Sequence, residues 1–322
     1  MTRKSLRTKR IFSIILSLAV ALTMMPMSAL ADGDAAVQAE GNVAEVTAAN
    51  GTSLGQFASL NEAITATRNS GGSTVTLLAN IKTDYHKEDG KFIPTDISGT
   101  YTLDLNGHTV NGSLEVKAAN SNLTIKDSKG TGKIDPNDGG NDWIALTVSK
   151  GSVTIESGIF AKRVWCDGGA MTIKDGTFAQ RVICDDGTLT INGGIFNDAY
   201  AGSSSTAAAI TAGQFVSFSA RSKNVSISGG SFDKILCDSS SYLHPAAMLA
   251  NGYAFADRTN GKKVDGSSEA TISNIKVVKA DEIHAFVVSV TVGASIDKYQ
   301  TFEEALTAAQ KTKDSVLTLL DD

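Results

Sequence analysis

The sequence predicts an all-β protein that coils into a parallel β-helix, a solenoid in which each turn of the chain stacks on the one before. An eight-residue phrase, apolar–Thr/Ser–Ile–x–x–Gly–x–Phe, places its phenylalanines at successive steps of 18, 18, 19 and 17 residues, and such a short regular period is typical of solenoids. Apolar residues alternate within the phrase, as in a strand with one buried face. The chain of 322 residues has thirty glycines but only four prolines, a composition that favours strands and turns.

Each part of the phrase has a physical role in such a coil. In the first copy, Val153 and Ile155 share the inner face, the glycine makes a turn at a positive φ that other residues avoid, and Phe160 resumes the buried face. Stacked copies would place Ile on Ile and Phe on Phe about 4.8 Å apart. An antiparallel β-sandwich is the alternative, but it does not require the same residue at every turn. The five copies occupy residues 153–160, 171–178, 189–196, 208–215 and 225–232.

The N-terminus reads as an export signal. Five basic residues precede an apolar run that ends in the small-residue sequence SALA at Ala31, which predicts a secretory signal peptide over residues 1–31 rather than a membrane anchor. Its removal changes the net charge from −5 to −10. We therefore expect a secreted chain with no membrane span that does not bind nucleic acid, because phosphate contacts need clustered Lys and Arg.

The ordered part is expected to start with a cap. After a flexible segment over residues 32–54, Ser59 and Glu62 form a capping box, and apolar residues recur at helical spacing, which predicts a helix over residues 58–69 that covers the first coil. The β-helix should then run over residues 55–256, with less regular coils at 101–110 and 122–134 and a projecting loop at 135–143.

The C-terminal part is expected to contain a connection and a second beginning. Pro245 starts a predicted helical turn, and two apolar segments, at 269–279 and 284–292, predict strands of a connecting β segment over residues 257–292. Residues 299–320 match residues 57–78 when shifted by 242 positions, with Thr301 and Glu304 in place of Ser59 and Glu62. Residues 293–322 are therefore predicted to be the truncated start of a second module, so that further modules of a longer chain are expected.

These segments together resemble a known family. The stretches SLNEAITATRNSGGSTVTLL, LDLNGHTV and MLANGYAF, with the repeated rungs, resemble the pectin-lyase-like right-handed parallel β-helix modules of large surface proteins of Gram-positive bacteria. The resemblance covers most of residues 55–256 and restarts near residue 295. It implies a right-handed coil and an adhesive role at the cell surface. Enzymes of the same superfamily carry further signatures, of which only Asp185–Asp186 has a counterpart here.

Two related strands supply a candidate ligand-binding site. If Val164 and Cys166 point inward, the residues between them point outward, and the next coil repeats the arrangement. The expected result is an arginine pair, an apolar patch and an aspartate pair on one face, which would suit a sugar; an ordinary solvated sheet face is the alternative. The candidate residues are Arg163, Trp165, Asp167, Arg181, Ile183 and Asp185.

Other chemistry has weak signals. Asp167 and Asp185 would lie about 5 Å apart, near the separation in retaining glycosidases, but any residue repeated once per coil acquires that spacing. Cys166 and Cys184 hold equivalent positions, which predicts buried thiols, although one coil step also lies within disulfide range. The four histidines show no metal spacing, and no cofactor motif is present, so no cofactor, metal ligand or catalytic residue is assigned.

The functional expectation follows from these patterns. We expect a non-enzymatic, secreted or cell-surface protein that serves as a structural stalk or adhesin module, with host or environmental glycans or surface proteins as partners. The alternative is a polysaccharide lyase or glycoside hydrolase that acts on acidic polysaccharide.

Overall fold

The structure is a computed structural model that describes residues 41–83, 86–88, 91–137, 144–203, 205–237, 243–283, 288–293, 295–299 and 302–319. The predicted signal peptide, the loop residues 138–143, the strand residues 284–287 and the capping residue Thr301 lie outside the described residues. Within the described residues, no helix has the length and apolar character needed to cross a membrane.

The chain forms a parallel β-solenoid of about 7 turns, which confirms the predicted fold class. Each coil contributes a strand to each of three sheets, and hydrogen bonds join each strand to its counterparts in the coils before and after it. The first sheet contains β3 (Ser73–Leu77), β8 (Thr100–Asp104), β11 (Asn122–Lys126), β14 (Ser152–Ile155), the second halves of β16 (Arg163–Ile173) and β17 (Thr177–Ile191), β19 (Ala207–Ile210) and β21 (Asn224–Ile227).

The second and third sheets share several long strands that turn a corner of the coil. The second contains β4 (Ile81–Lys82), β9 (Thr109–Asn111), β12 (Lys133–Ile134), β15 (Ile159–Phe160) and the first residues of β17, β18 (Ile195–Ala201), β20 (Gln214–Ala220) and β22 (Ser231–Cys237). The third contains β7 (Thr95–Asp96), β10 (Leu114–Val116), β13 (Ile144–Val148), the start of β16, the middle of β17 and the ends of β18, β20 and β22. A separate hairpin joins β5 (His86–Glu88) to β6 (Lys91–Ile93).

The predicted phenylalanine ladder is the centre of the core. The rings stack in chain order with centroid separations of 5.0, 4.8, 4.6 and 4.6 Å, close to the strand spacing. All five are buried, and isoleucines form a second inner ladder in the same coils. The phenylalanines are Phe160, Phe178, Phe196, Phe215 and Phe232.

The glycine of the repeat is fixed by close approach between coils. Gly194 has a φ of 103°, and its carbonyl oxygen accepts a hydrogen bond from the amide of Gln214 in the next coil at 2.9 Å. A Cβ on this glycine would lie 3.0 Å from the Gly176 carbonyl oxygen and 3.2 Å from the Phe196 ring. Backbone conformation and space therefore both require glycine here.

The N-terminal end is capped by antiparallel strands and a helix. Strand β1 (Ala44–Thr47) pairs antiparallel with β3 and with β2 (Ser53–Phe57), so ordered strands occupy part of the segment 32–54 that the sequence suggested was flexible. The reason is burial, since Ala44 and Val46 are fully enclosed in the core. Helix α1 (Leu60–Thr67) lies within the predicted helix, and the Ser59 hydroxyl accepts a hydrogen bond from the Glu62 amide at 3.2 Å.

The C-terminal end of the solenoid is covered by antiparallel strands. A 3₁₀ helix (Pro245–Met248) is followed by β23 (Tyr253–Asp257), β24 (Lys263–Val264) and β25 (Thr271–Lys279). Strand β25 pairs antiparallel with β22 of the last coil and with β23. Because its direction is reversed, the parallel stack stops here and its edge is protected.

The remaining described residues repeat the N-terminal cap. They contain β26 (Val288–Val292), β27 (Ser295–Tyr299), helix α2 (Phe302–Ala309) and β28 (Val316–Leu319). The central strand β26 pairs antiparallel with β27 and β28, as β1 does with β2 and β3. The strands predicted at 269–279 and 284–292 thus join different sheets rather than each other.

The two caps differ in exposure. In the first cap, Leu60 and Ile64 are 6% and 4% exposed, whereas Phe302 and Leu306, which lie 242 residues later, are 53% and 37% exposed. The apolar helix face that is buried in the first cap is therefore open in its copy.

We expect Phe196→Ala to lower the free energy of unfolding by about 3–5 kcal/mol, because it leaves a cavity in the aromatic stack. The neighbouring Ile195 is 42% exposed, and Ile195→Ala should change it by less than about 1 kcal/mol. Urea unfolding followed by circular dichroism measures both. Equal losses in the two variants would contradict the inward ladder.

Candidate functional site

The outward side of the third sheet carries a row of large side chains. Trp165 lies beside Ile183 in register, and Ile183 lies beside Tyr200 in the next coil. Each follows a small inward residue, since Val164, Val182 and Ala199 are buried and side chains alternate along a strand. All three outward residues remain partly exposed. We call Trp165, Ile183 and Tyr200 the aromatic strip.

Polar residues bound the strip along the solenoid axis. Thr147 precedes Trp165 in the same column, and Ser219 follows Tyr200. Because strands in a sheet lie about 4.8 Å apart, the three side chains span about 10 Å. The strip is therefore a short apolar plate on a flat face, not a cleft.

Basic residues lie along one side of the strip. Arg163 is in register with Ile144 of the preceding coil, and Arg181 is in register with Asp198 of the following one. The Arg181 Nε donates to Asp198 Oδ2, and the Arg181 guanidinium carbon lies 5.8 Å from the centre of the Tyr200 ring. The cation therefore both pairs with a carboxylate and holds the edge of the strip, a cation–π arrangement.

Three aspartates lie along the other side. The Trp165 indole Nε1 donates to Asp185 Oδ2 at 3.1 Å, and the Ser205 hydroxyl donates to Asp186 Oδ1 at 2.9 Å. Asp167 is in register with Asp186 rather than with Asp185, because an irregularity in pairing follows Cys166. The predicted Asp167–Asp185 pair is thus replaced by a three-carboxylate edge in which Asp185 orients the indole.

The electrostatics of this edge are unfavourable for Asp167. Partial burial raises the pKa of its carboxyl group, and the neighbouring charges of Asp185 and Asp186 raise it further. No ion pair to these three aspartates occurs among the described residues. This edge therefore keeps negative charge that is not balanced by a nearby cation.

The arrangement has no recognisable catalytic or metal-binding set. Within the described parts of the chain, no three or more His, Cys, Asp or Glu side chains lie where they could hold a metal ion. The aspartates stand on a sheet edge, and their spacing follows from coil stacking. The chemistry that remains is the presentation of an apolar plate between a basic and an acidic side.

Sequence reasoning found four of the main features and missed others. The structure places Trp165 and Ile183 side by side, and it places Arg163 and Arg181 on one side of them as predicted. It adds Tyr200, Asp198 and Asp186. The phrase FNDAYA after Phe196 contained the first two of these, but Tyr200 follows Ile183 by a step of 17 rather than 18 residues, so a strict 18-residue comparison passes over it.

Comparison of the chain with protein-family models, with curated proteins and with solved structures finds no match.

We expect Asp167→Asn to raise the melting temperature at neutral pH. A folded-state pKa above the unfolded value means that the charged carboxylate costs stability, and this cost disappears as the pH falls through the folded-state pKa. The difference between variant and wild type should therefore vanish near pH 3, below the ordinary aspartate pKa of about 3.9. Thermal melts at both pH values measure it.

The control for this prediction is Asp281→Asn, which removes an exposed charge far along the chain from the cluster. A wild type that is more stable than Asp167→Asn at neutral pH would contradict the repulsion that we infer.

Proposed function

We propose that this chain is an extracellular β-helix module that binds a glycan on the aromatic strip. The observation that carries the proposal is the in-register row of Trp165, Ile183 and Tyr200 between charged sides. Aromatic side chains offer an apolar body with a polar tip, and small-ligand sites combine such surfaces with a few placed polar groups. A sugar ring has the matching pattern of an apolar face and a hydroxyl rim.

The strip is prepared for such a contact. Asp185 fixes the indole of Trp165 through a hydrogen bond, and Arg181 is held between Asp198 and Tyr200. Because these side chains are already oriented, less conformational entropy is lost on binding. One oxygen of Asp198, Oδ1, is buried with no hydrogen-bond partner among the described residues, so this carboxylate retains capacity as an acceptor.

The charges favour a neutral or amino-bearing glycan over an acidic one. Asp167, Asp185 and Asp186 form an unbalanced acidic edge, whereas Arg181 is already paired with Asp198. A polyuronate would bring further carboxylates to this edge, where like charges repel. The alternative function, a lyase or hydrolase of acidic polysaccharide, is therefore the less supported of the two.

The setting of this binding face is also part of the proposal. The signal-like N-terminus and the acidic mature chain support export, and the resemblance to pectin-lyase-like modules of Gram-positive surface proteins supports a stalk or adhesin. The open face of α2, where Phe302 and Leu306 are exposed although Leu60 and Ile64 are buried, supports a second β-helix module that begins with residues 293–322.

The native gene product tests this setting. N-terminal sequencing of the exported protein should give Asp32 as the first residue, and the reading frame should continue past Asp322 into further coils. A retained Met1 would contradict export by cleavage, and a stop codon directly after Asp322 would contradict the second module.

We expect Trp165→Ala and Tyr200→Ala each to weaken glycan binding about 10-fold or more, since removal of a stacked aromatic costs at least about 1.4 kcal/mol. A glycan array with neutral, amino-bearing and uronate members identifies the ligand, and calorimetry measures the affinity. Trp165→Phe should retain most of the binding, because it keeps the plate and loses only the donor to Asp185.

The matched control is Thr154→Ala, on the outward side of the first sheet, which should leave the affinity unchanged. The absence of binding to every glycan class, or equal weakening by Thr154→Ala, would contradict a site on the strip. Release of unsaturated or reducing-end products by the pure protein would favour the enzymatic alternative.

A further inference from the structure

One column of inward side chains in the third sheet consists of small residues. Hydrogen-bonded pairing places its members in register from coil to coil, and all are buried. Two cysteines are adjacent in this column, and the third is separated from them. In order, the members are Val116, Val148, Cys166, Cys184, Ala201, Ala220 and Cys237.

The sulfur atoms of the adjacent cysteines converge. The Cys166 Sγ lies 3.7 Å from the carbonyl oxygen of Asp186, and the Cys184 Sγ lies 3.4 Å from the same oxygen. The two thiols are also hydrogen-bonded to each other. Both are free in the structure, and neither is exposed to solvent.

We propose that Cys166 and Cys184 form a disulfide bond between successive coils when the chain folds in the presence of a small-molecule disulfide. The thiolate of one cysteine attacks the reagent and displaces one of its sulfurs as a thiolate. The second cysteine thiolate then attacks the mixed disulfide and displaces the other. Two protein thiols are oxidised, one reagent disulfide is reduced to two thiols, and the two protons pass to these products or to solvent.

The backbone geometry is compatible with this bond. Neighbouring strands lie about 4.8 Å apart, inside the Cα separation of about 4.4–6.8 Å that disulfides require. The pairing irregularity directly after Cys166 and the glycines Gly168 and Gly169 that follow allow small local adjustment. The hydrogen bond from Cys184 lowers the pKa of the Cys166 thiol, which favours Cys166 as the first attacking thiolate.

The third cysteine is excluded by its place in the column. Ala201 and Ala220 separate Cys184 from Cys237, so the two cysteines are three coil steps, or about 14 Å, apart. This distance is far beyond disulfide range. Burial raises the pKa of the Cys237 thiol to about 11, so it reacts slowly and should stay reduced.

The disulfide would tie together the two coils that carry half of the aromatic strip. Trp165 directly precedes Cys166, and Ile183 directly precedes Cys184. The bond would therefore fix the spacing of these two outward residues from below. The proposal does not depend on glycan binding, because it rests only on the register and contacts of the thiols.

The test is thiol counting after refolding of the full chain in oxidised and reduced glutathione, with alkylation under denaturing conditions and peptide mass spectrometry. The three thiols of the sequence should fall to one, located at Cys237, with a linked Cys166–Cys184 peptide. The melting temperature of the oxidised protein should exceed that of the reduced protein by roughly 5 °C or more. Three alkylated cysteines, or a disulfide that includes Cys237, would overturn the proposal.

Alanine variants supply the control, since alanine already occupies this column at Ala201 and Ala220 and so fits the site. Cys184→Ala should leave two alkylated thiols and abolish the shift in melting temperature. Cys237→Ala should leave none and keep the shift. A shift that persists in Cys184→Ala would assign the stabilisation to something other than the proposed bond.

Discussion

Parallel hydrogen bonding between successive coils, with each strand in register with its counterpart, is the constraint on which the rest of this molecule depends. Once Phe160 is hydrogen-bonded in register with Phe178, the ring of each must occupy the space directly above the other, and their centroids lie 5.0 Å apart. A side chain that fits in one coil therefore fits in the next. The same register aligns the isoleucines, and it brings a carbonyl oxygen so close to Gly194 that no larger residue can replace it.

The ends of the stack require a different solution, because a parallel ladder has no natural stop. At both ends the chain reverses strand direction, with β1 against β3 and β25 against β22. The first cap adds a helix whose apolar residues complete the core. The recurrence of that cap near residue 300, with its helix face open, shows that the cap is a unit that the sequence encodes separately from the coils it covers.

The candidate site arises from a departure from regularity on the outside of the solenoid. The first sheet presents small and paired polar groups to solvent, with a row of threonines and ion pairs such as Lys126–Asp104 and Lys174–Glu156. The third sheet instead presents Trp165, Ile183 and Tyr200 between arginines and aspartates. Local departures from a foldable pattern tend to mark function. Beneath these residues, the two adjacent thiols add a second departure, on the inner face of the same coils.

The sequence by itself determined the coil, because a buried ladder demands the same residue at each turn and so leaves a visible period. It also determined which side Trp165 and Ile183 face, since alternation along a strand is local. Only the tertiary structure decided the partners. A pairing irregularity after Cys166 moved Asp167 from Asp185 to Asp186, and a coil shorter by one residue brought Tyr200 and Asp198 into the site. Such shifts depend on how each turn relaxes against its neighbours, and a one-residue change in register is invisible in a pattern read at a fixed step.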